Sequence, residues 1–332
     1  GYESKKLLIQ YFHEKQKVDY LIFEIGMGHG FLMDDYIRTG NEENLRFFLE
    51  ELKGTMAYSQ EEYEFWQWLY EYNQQQPQKH KLHVLGLDIE FQANSSARGL
   101  SLLLDESVTP AQEIRTLIEK LKASDGEALG KLPKAMEQYP QEMQEAFGEN
   151  FAWAQQYAKN ITATYTFYQV RKETEDEEQA HRVRDDAMTE KLCFAIEQLP
   201  KQAKFFGQFG NAHVLQKDTA GVGFGLGYHR FATQLQEEDS PVKGQVCSIY
   251  MAFPHKNVMA PSGYAFPSNQ TLPFELFEDY FGQDTLIPLD EKGSPFVHGE
   301  GEEATDRAAG MSDYFQKVML LPGLKDTIPY QG

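Results

Sequence analysis

The sequence is poor in cysteine and has no long apolar run. Its 332 residues include two cysteines, Cys193 and Cys247, so a framework of disulfide bonds is not supported. Two cysteines suit either redox setting, and their number therefore assigns no compartment. No apolar run approaches the roughly 20 residues of a membrane-spanning helix. We therefore expect a protein without a membrane span.

Positive charge is also scarce. Lysine and arginine number 31 against 51 aspartates and glutamates, which gives a net charge of −20. A surface this acidic repels phosphate backbones, so nucleic-acid binding is disfavoured, whereas a small molecule responds to local charge. Hydrophobic residues make up 41% and aromatic residues 13% of the chain, which argues against disorder. We expect a small-molecule substrate, and the composition leaves the oligomeric state open.

Several catalytic signatures are missing. There is no Gly-x-Ser-x-Gly nucleophile elbow, which argues against an ordinary serine α/β-hydrolase. There is no His-Glu-x-x-His or Cys-x-x-Cys cluster of the kind that marks a zinc site. The glycine-rich stretch Gly221–Gly227 neither follows a clear strand nor opens a strong helix, so it is interpreted as a loop and not as a nucleotide site. No cofactor is expected, although a divalent metal stays open.

The N-terminus carries no secretory signal pattern and opens directly on an amphipathic helix pattern. We therefore expect that sequence upstream has been lost. A targeting signal could have preceded this point, so the localisation stays open between the cytoplasm and export.

Apolar runs and helical patterns alternate in the first ninety residues. Short dense apolar runs at 18–25 and 81–87 are typical of buried parallel strands. Helical stripes at 41–53, with Asn41 as cap, and at 60–74 separate them. The pattern predicts an α/β fold with a mainly parallel central sheet flanked by helices.

The middle of the chain changes character. Residues 109–199 are almost wholly helical in pattern, and 149–180 could form one helix because no Gly or Pro interrupts them. Further apolar runs at 203–209, 246–253 and 315–321 indicate that the sheet resumes. We predict a first part of the α/β core at 1–108, a helical insertion or cap packed on it at 109–200, and a second part of the core with long loops at 201–332.

Three polar residues close or directly follow apolar runs. They are Glu24, Asp88 and His213. Parallel α/β sheets place their sites at the carboxyl ends of strands, so these side chains are the candidate centre. A histidine can take a proton near neutral pH, and Glu24 could act as the base itself or support the imidazole. Taken singly, each could instead cap a turn or begin a helix.

Other residues are candidates for supporting roles. Arg184 and Asp185 lie on a helix that leads into the third strand, where the arginine could hold an anionic group or orient a carboxylate, or could be exposed. Asn211 offers donors and an acceptor beside His213. His29 falls in Gly-His-Gly, which we interpret as a loop that could reach the same pocket.

The order of several short motifs resembles the erythromycin esterase family. The resemblance lies in Leu-Ile-Phe-Glu ending at Glu24, Trp-Leu-Tyr-Glu-Tyr-Asn at 68–73, Gly-Leu-Asp ending at Asp88, Arg-Asp-Asp-Ala-Met at 184–188 and Gly-Asn-Ala-His ending at His213. It covers about residues 1–255. It departs from the family at Gly210, which replaces a histidine of His-Asn-x-His, and at Lys5, where an arginine is expected. The upstream Gly-Glu-x-x-His motif is not in the chain.

The resemblance implies a hydrolase that cleaves an ester, lactone or related bond with water activated by Glu24 and His213. It assigns Lys5 a supporting role. The Gly-Asn-x-His pattern is also similar to the TraB, Tiki and ChaN-like proteins, which implies an alternative: a metal- or haem-binding protein with ligands among Glu24, His29, Asp88 and His213. A non-catalytic descendant is the remaining alternative.

Overall fold

The apolar run near the N-terminus forms the middle strand of a parallel sheet. In the computed structural model, β1 (Tyr20–Gly26) pairs in parallel with β2 (His83–Asp88) on one side and β3 (Phe205–Gln208) on the other. Tyr20 lies opposite both His83 and Phe205. The carboxyl ends of the three strands therefore meet at one edge, and the predicted fold class is confirmed.

The structure describes residues 1–174, 176–217, 229–253, 258–259, 265–266, 274–294, 296–297 and 310–332. Contacts divide the chain into a first unit of residues 2–208 and 330–332 and a second unit of residues 1 and 209–329. The helices predicted at 109–200 thus belong to the first unit together with the sheet. The predicted glycine-rich loop at 221–227 lies outside the described residues.

Ten α-helices of the described chain belong to the first unit. They are α1 (Tyr2–Tyr11), α2 (Met27–Thr39), α3 (Glu42–Glu51), α4 (Gln60–Gln74), α5 (Ala93–Ser101), α6 (Gln112–Lys122), α7 (Leu132–Gln138), α8 (Pro140–Phe147), α9 (Phe151–Thr174) and α10 (Glu177–Gln198). Within the described ranges, none of the helices combines the length and apolar character that crossing a bilayer requires.

Capping side chains decide where several of these helices begin. The Asn41 side chain accepts a hydrogen bond from the Glu43 amide, as predicted for the start of α3. The single helix expected over 149–180 was wrong, because Asp176 caps α10 and accepts from the Gln179 amide. An aspartate cap can start a new helix without any Gly or Pro. Two helices therefore stand where one was expected, and α9 packs against α10.

Glycines allow α2 to lie unusually close to β2 and α5. A methyl group at Gly30 would lie 2.1 Å from the Gly86 nitrogen, and one at Gly99 would lie 1.8 Å from the Gly28 oxygen. Because both neighbours are backbone atoms, only a residue without Cβ fits. The loop expected around His29 was therefore wrong: β1 passes directly into α2, and the glycines serve packing.

The second unit contains a separate sheet. It comprises α11 (Phe231–Gln234), β4 (Ile249–Ala252), β5 (Val258–Met259), β6 (Ala265–Phe266), β7 (Thr285–Pro288), α12 (Met311–Tyr314) and β8 (Lys317–Leu320). The order is β4-β8-β7, with β4 parallel and β7 antiparallel to β8, and β5 pairs with β6. The expectation that these strands extend the first sheet was wrong, since an apolar run predicts a buried strand but not its partner.

We predict that replacing Gly99 by alanine destabilises the first unit by about 1–3 kcal/mol, because overpacking against backbone cannot relax cheaply. Urea unfolding followed by tryptophan fluorescence measures this, since Trp66, Trp68 and Trp153 all lie in the first unit. Gly130→Ala is the control: its methyl group meets the exposed tip of Tyr165, and a change within about 0.5 kcal/mol is expected. Equal losses in both variants would contradict the packing argument.

Candidate active site

Two strand-end carboxylates share one arginine. Glu24 lies near the end of β1 and Asp88 ends β2, with Gly26 opposite Asp88. From α10, Arg184 donates from Nε to Asp88 Oδ1 at 2.7 Å, from Nη2 to Asp88 Oδ2, and from Nη2 to Glu24 Oε1 at 2.5 Å. Arg184 thus bridges the first two strands through a forked contact to Asp88, a geometry that a lysine cannot reproduce.

Burial differs sharply within the charged triad formed by Glu24, Asp88 and Arg184. The side chain of Asp88 is 1% exposed, that of Arg184 12% and that of Glu24 24%. Burial acts against the charge of Arg184, but hydrogen bonds and charges from Asp88 and Glu24 outweigh it and raise the pKa of Arg184 above its usual range. The guanidinium is therefore permanently charged, and Glu24 is the member of the triad that solvent reaches most readily.

An aromatic pair borders the triad. The guanidinium carbon of Arg184 lies 5.4 Å from the ring centroid of Phe91. Phe91 and Tyr168 meet edge to face at 6.4 Å, and they are 41% and 44% exposed. This places accessible apolar surface next to the charged residues.

A second polar cluster is formed by Asn160, Glu90 and Lys191 close to the end of β2. It was not predicted from the sequence. The buried amide of Asn160 donates to Asp88 O at 3.1 Å and to Glu90 Oε1 at 2.8 Å, and it accepts from Lys191 Nζ at 2.5 Å. Glu90 also accepts from the Gly28 amide at 3.2 Å and from Ser96 Oγ. The seven-residue spacing of Arg184 and Lys191 on one helix face was the available signal.

Burial dominates the electrostatics of this cluster. It raises the pKa of Glu90, while hydrogen bonds from Ser96 and Gly28 and the charge of Lys191 act in the opposite direction. It lowers the pKa of Lys191 to about 8, against the charges of Asp88 and Glu90. Since Glu90 accepts three donated hydrogen bonds, the carboxylate form is the one this site fits.

His29 lies inside α2 and not in a loop. It is 1% exposed, its Nε2 meets Ser95 Oγ, and its ring packs edge to face on Phe48 at 4.9 Å. Burial lowers the pKa of His29 to about 3. His29 is therefore a neutral core histidine. The sequence could not show this, because a core histidine and a pocket histidine can each follow the end of a strand.

Lys5 lies in an aromatic environment. Its Nζ sits 4.3 Å from the ring centroid of Phe23 and 3.7 Å from that of Phe65. Burial lowers the pKa of Lys5 to about 8, opposed by the charge of Glu62. The cation–π contacts tie α1 to β1 and α4.

The remaining predicted residues are placed as follows. Asp185 is fully buried and follows Arg184 on α10. Asn211 and His213 belong to the second unit, in the short 3₁₀ turn 211–214. The Asn211 amide donates to Met251 O at 3.2 Å, and His213 is buried.

The arrangement around Glu24 and Asp88 bears on the metal alternative. Within the described ranges, no three His, Cys, Asp or Glu side chains form a group that could hold a metal ion. Glu24 and Asp88 instead share the guanidinium of Arg184. Two of the proposed ligands are therefore paired with a cation, and the metal alternative, which also calls on His213 of the second unit, stays a prediction.

The sequence profile of erythromycin esterases matches residues 13–229. The chain belongs to the erythromycin esterase family. The matched region contains all of the strand-end residues, both polar clusters and His213. No curated protein shows significant sequence similarity to this family member.

Solved structures show the same fold in distant relatives. A crystal structure of a Bacillus cereus protein is similar with a TM-score of 0.65 and 16% identity, covering 98% of this chain and 85% of that one. An erythromycin esterase, EreC, solved as a mutant in its open conformation, gives 0.64 and 14%, covering 98% and 88%. A succinoglycan biosynthesis protein gives 0.62 and 16%, covering 99% and 84%. At these identities, the likeness shows the fold of this esterase family member.

We predict that Arg184→Met destabilises the first unit by about 3–5 kcal/mol, because it removes the guanidinium that is hydrogen-bonded to the buried Asp88 carboxylate. Adding Asp88→Asn should restore part of the loss. Urea unfolding followed by tryptophan fluorescence measures both. Arg182→Met, an exposed position on the same helix, is the control, with an expected change below about 0.5 kcal/mol. A loss no greater than that of the control would show that the ion pairs add nothing.

We also predict an acid-dependent loss of stability from His29. Its pKa is 6.5 in the unfolded chain and about 3 in the folded protein, so the unfolded state binds an extra proton below pH 6.5. The contribution of neutral His29 to the free energy of unfolding is therefore fully present above that pH. It is lost as pH falls toward 3, and linkage sets the loss at a few kcal/mol, on the order of 1.4 kcal/mol per pKa unit. His29→Gln should flatten the dependence of the free energy of unfolding on pH between 6.5 and 3. The control is His83→Gln, at a half-exposed histidine, which should keep this dependence. An unchanged slope in His29→Gln would refute the assignment.

Proposed function

We propose that this member of the erythromycin esterase family is a hydrolase that cleaves an ester, lactone or related bond, with Glu24 at its reactive centre. The supporting observation is that Arg184 fixes the Glu24 carboxylate at the carboxyl edge of the sheet while leaving it 24% exposed. Ligand sites of parallel α/β sheets lie at this edge. A carboxylate held in one orientation can accept a proton from an attacking water.

The proposed reaction needs a base and positive charge. As the water oxygen bonds to the carbonyl carbon, its proton passes to Glu24, directly or by way of a histidine. The carbonyl oxygen gains negative charge, which Arg184 is positioned to offset. The carbonyl double bond then re-forms as the carbon–oxygen bond to the alcohol breaks. The leaving alcohol takes back the proton held by Glu24 or the histidine, and the carboxylic acid is the second product.

His213 is proposed as the second group in proton transfer. This assignment rests on the Gly-Asn-x-His motif, and an imidazole can exchange protons near neutral pH. The histidine would take the water proton or return it to the leaving alcohol.

The aromatic pair beside Arg184 suggests what kind of ester fits. Phe91 and Tyr168 offer half-exposed rings next to the charged residues. An ester with an apolar portion would pack that portion on these rings while its carbonyl met Glu24. Short, fully polar esters lack this contact.

We predict that Glu24→Gln lowers kcat by about 100-fold or more for the best substrate in a panel of esters and lactones, as expected for loss of a positioned acid–base group. The amide keeps the shape of the carboxylate, so the midpoint of thermal unfolding should change little. His213→Ala should cause a similar loss. Rates are measured per folded molecule. Elemental analysis of the same preparations determines whether a bound metal accompanies the activity.

Glu197→Gln, an exposed carboxylate on α10, is the matched control and should hydrolyse the panel at the wild-type rate. If Glu24→Gln retained full activity, Glu24 would be structural. If no substrate in the panel were turned over by wild type but one bound, the non-catalytic alternative would be favoured.

A further inference from the structure

The buried cluster around Asn160 contacts the triad through the backbone of Asp88. Asn160 Nδ2 donates to the Asp88 carbonyl, and the same amide joins Lys191 to Glu90. The three residues are 2%, 3% and 5% exposed. Every polar group of the Asn160 side chain is thus used, and water is not available to substitute for any of them.

The elements that carry this cluster are the ones that carry the triad. Glu90 follows Asp88 by two residues, and Lys191 follows Arg184 by two helical turns on α10. Asn160 comes from α9, where Thr164 Oγ1 also accepts from the Glu90 amide at 3.0 Å. Asp88 at the end of β2 is therefore bound at two places: Arg184 binds its side chain, and Asn160 binds its backbone carbonyl.

We propose that Asn160 and Lys191 are positioning residues for the reactive centre: they fix the segment from Asp88 to Glu90 so that the Asp88 carboxylate meets the fork of Arg184, which in turn orients Glu24. This inference rests on the proposed function for its effect on catalysis. Its geometric part concerns the Asp88–Arg184 contact and can be measured without any substrate.

Charge balance gives Lys191 its importance. The buried Glu90 carboxylate needs a compensating cation, and Lys191 supplies it across the Asn160 amide. Without Lys191, the Glu90 carboxylate and the Asn160 amide lose their shared cation, and we expect the segment from Asp88 to Glu90 to shift relative to the fork of Arg184. A displacement of about 1 Å at such a site can reduce the rate by about 100-fold.

Several charged groups surround Lys191. Asp88 and Glu90 face it from β2 and the segment after it, while Glu190 and Arg184 lie on its own helix. Tyr157 on α9 is buried near Glu90. Because burial lowers the pKa of Lys191 to about 8, the proton that holds this arrangement leaves as pH rises through that value.

The test compares Lys191→Met with Lys159→Met. Lys159 forms an exposed ion pair with Glu190 between the same two helices, at 3.0 Å, so its loss reports any general loosening of α9 on α10. Lys191→Met should lower kcat by about 10- to 100-fold with KM within about twofold, since it displaces the centre without touching substrate. Lys159→Met should leave both constants unchanged.

Two further readouts separate positioning from a merely structural role. In wild type, kcat should fall above about pH 8 as Lys191 loses its proton, and this limb should be absent in Lys191→Met; if Lys5 caused the limb, it would persist. The double variant Glu90→Gln/Lys191→Met removes both buried charges and keeps an amide partner for Asn160. It should recover most of the lost kcat.

The substrate-free readout is the ¹⁵N NMR signal of the Arg184 Nε–H group, assigned by its loss in Arg184→Met. Its hydrogen bond to buried Asp88 should make this proton slow to exchange in wild type and in Lys159→Met, and fast in Lys191→Met. Unchanged exchange and unchanged kcat in Lys191→Met would overturn the proposal. If wild type hydrolysed nothing, the proposed function would fail, and the exchange rates would still decide the positioning. Should Lys191→Met not fold, Asn160→Ser, which loses the hydrogen bond to the Asp88 carbonyl, is expected to show the same fast exchange and lowered kcat, and wild-type values in that variant would overturn the proposal.

Discussion

The arrangement of the candidate site depends on how buried negative charge is compensated at the end of β2. Asp88 is buried at the edge of the sheet and Glu90 lies just beyond it, and two carboxylates in such a place are tolerated only with cations and hydrogen bonds around them. Helix α10 supplies both cations, Arg184 to Asp88 and Lys191 toward Glu90. The contact between α10 and the end of β2 therefore combines ion pairs with apolar packing.

This compensation also joins α9 and α10 of the middle region to the sheet. Helix α9 brings Asn160 between Lys191 and Glu90, so α9 and α10 are joined to β2 by buried hydrogen bonds. Their apolar faces add to the same contact, with Phe167 on α9 and Ala187 on α10 packed near Ile89. Helices α9 and α10 of region 109–200 therefore help to hold the candidate site at the end of β2.

Close backbone packing around β2 is a second constraint on the first unit. Glycines at 28, 30, 86 and 99 allow α2 to approach β2, and α5 to approach α2, at backbone distance. The same approach brings the Gly28 amide within reach of Glu90. Glycine packing and charge compensation are therefore coupled at the Glu90 carboxylate, which accepts hydrogen bonds from Gly28 of α2 and from Asn160 of α9.

The sequence by itself determined the parallel strands, the helix starts at Asn41 and in the region 60–74, and the placement of Glu24 and Asp88 at strand ends, because these features follow from local apolar runs, caps and the period of each element. It also carried the family motifs. The tertiary structure decided the rest. Arg184 reaches Glu24 across 160 residues and Asp88 across 96, and no local pattern specifies such a contact. Whether His29 faced a pocket or the core, and whether later strands joined the first sheet, depended on packing between distant elements. Asn160 and Lys191 were missed for the same reason: a polar residue on a helix is ordinary in sequence, and only burial beside a carboxylate gives it a role.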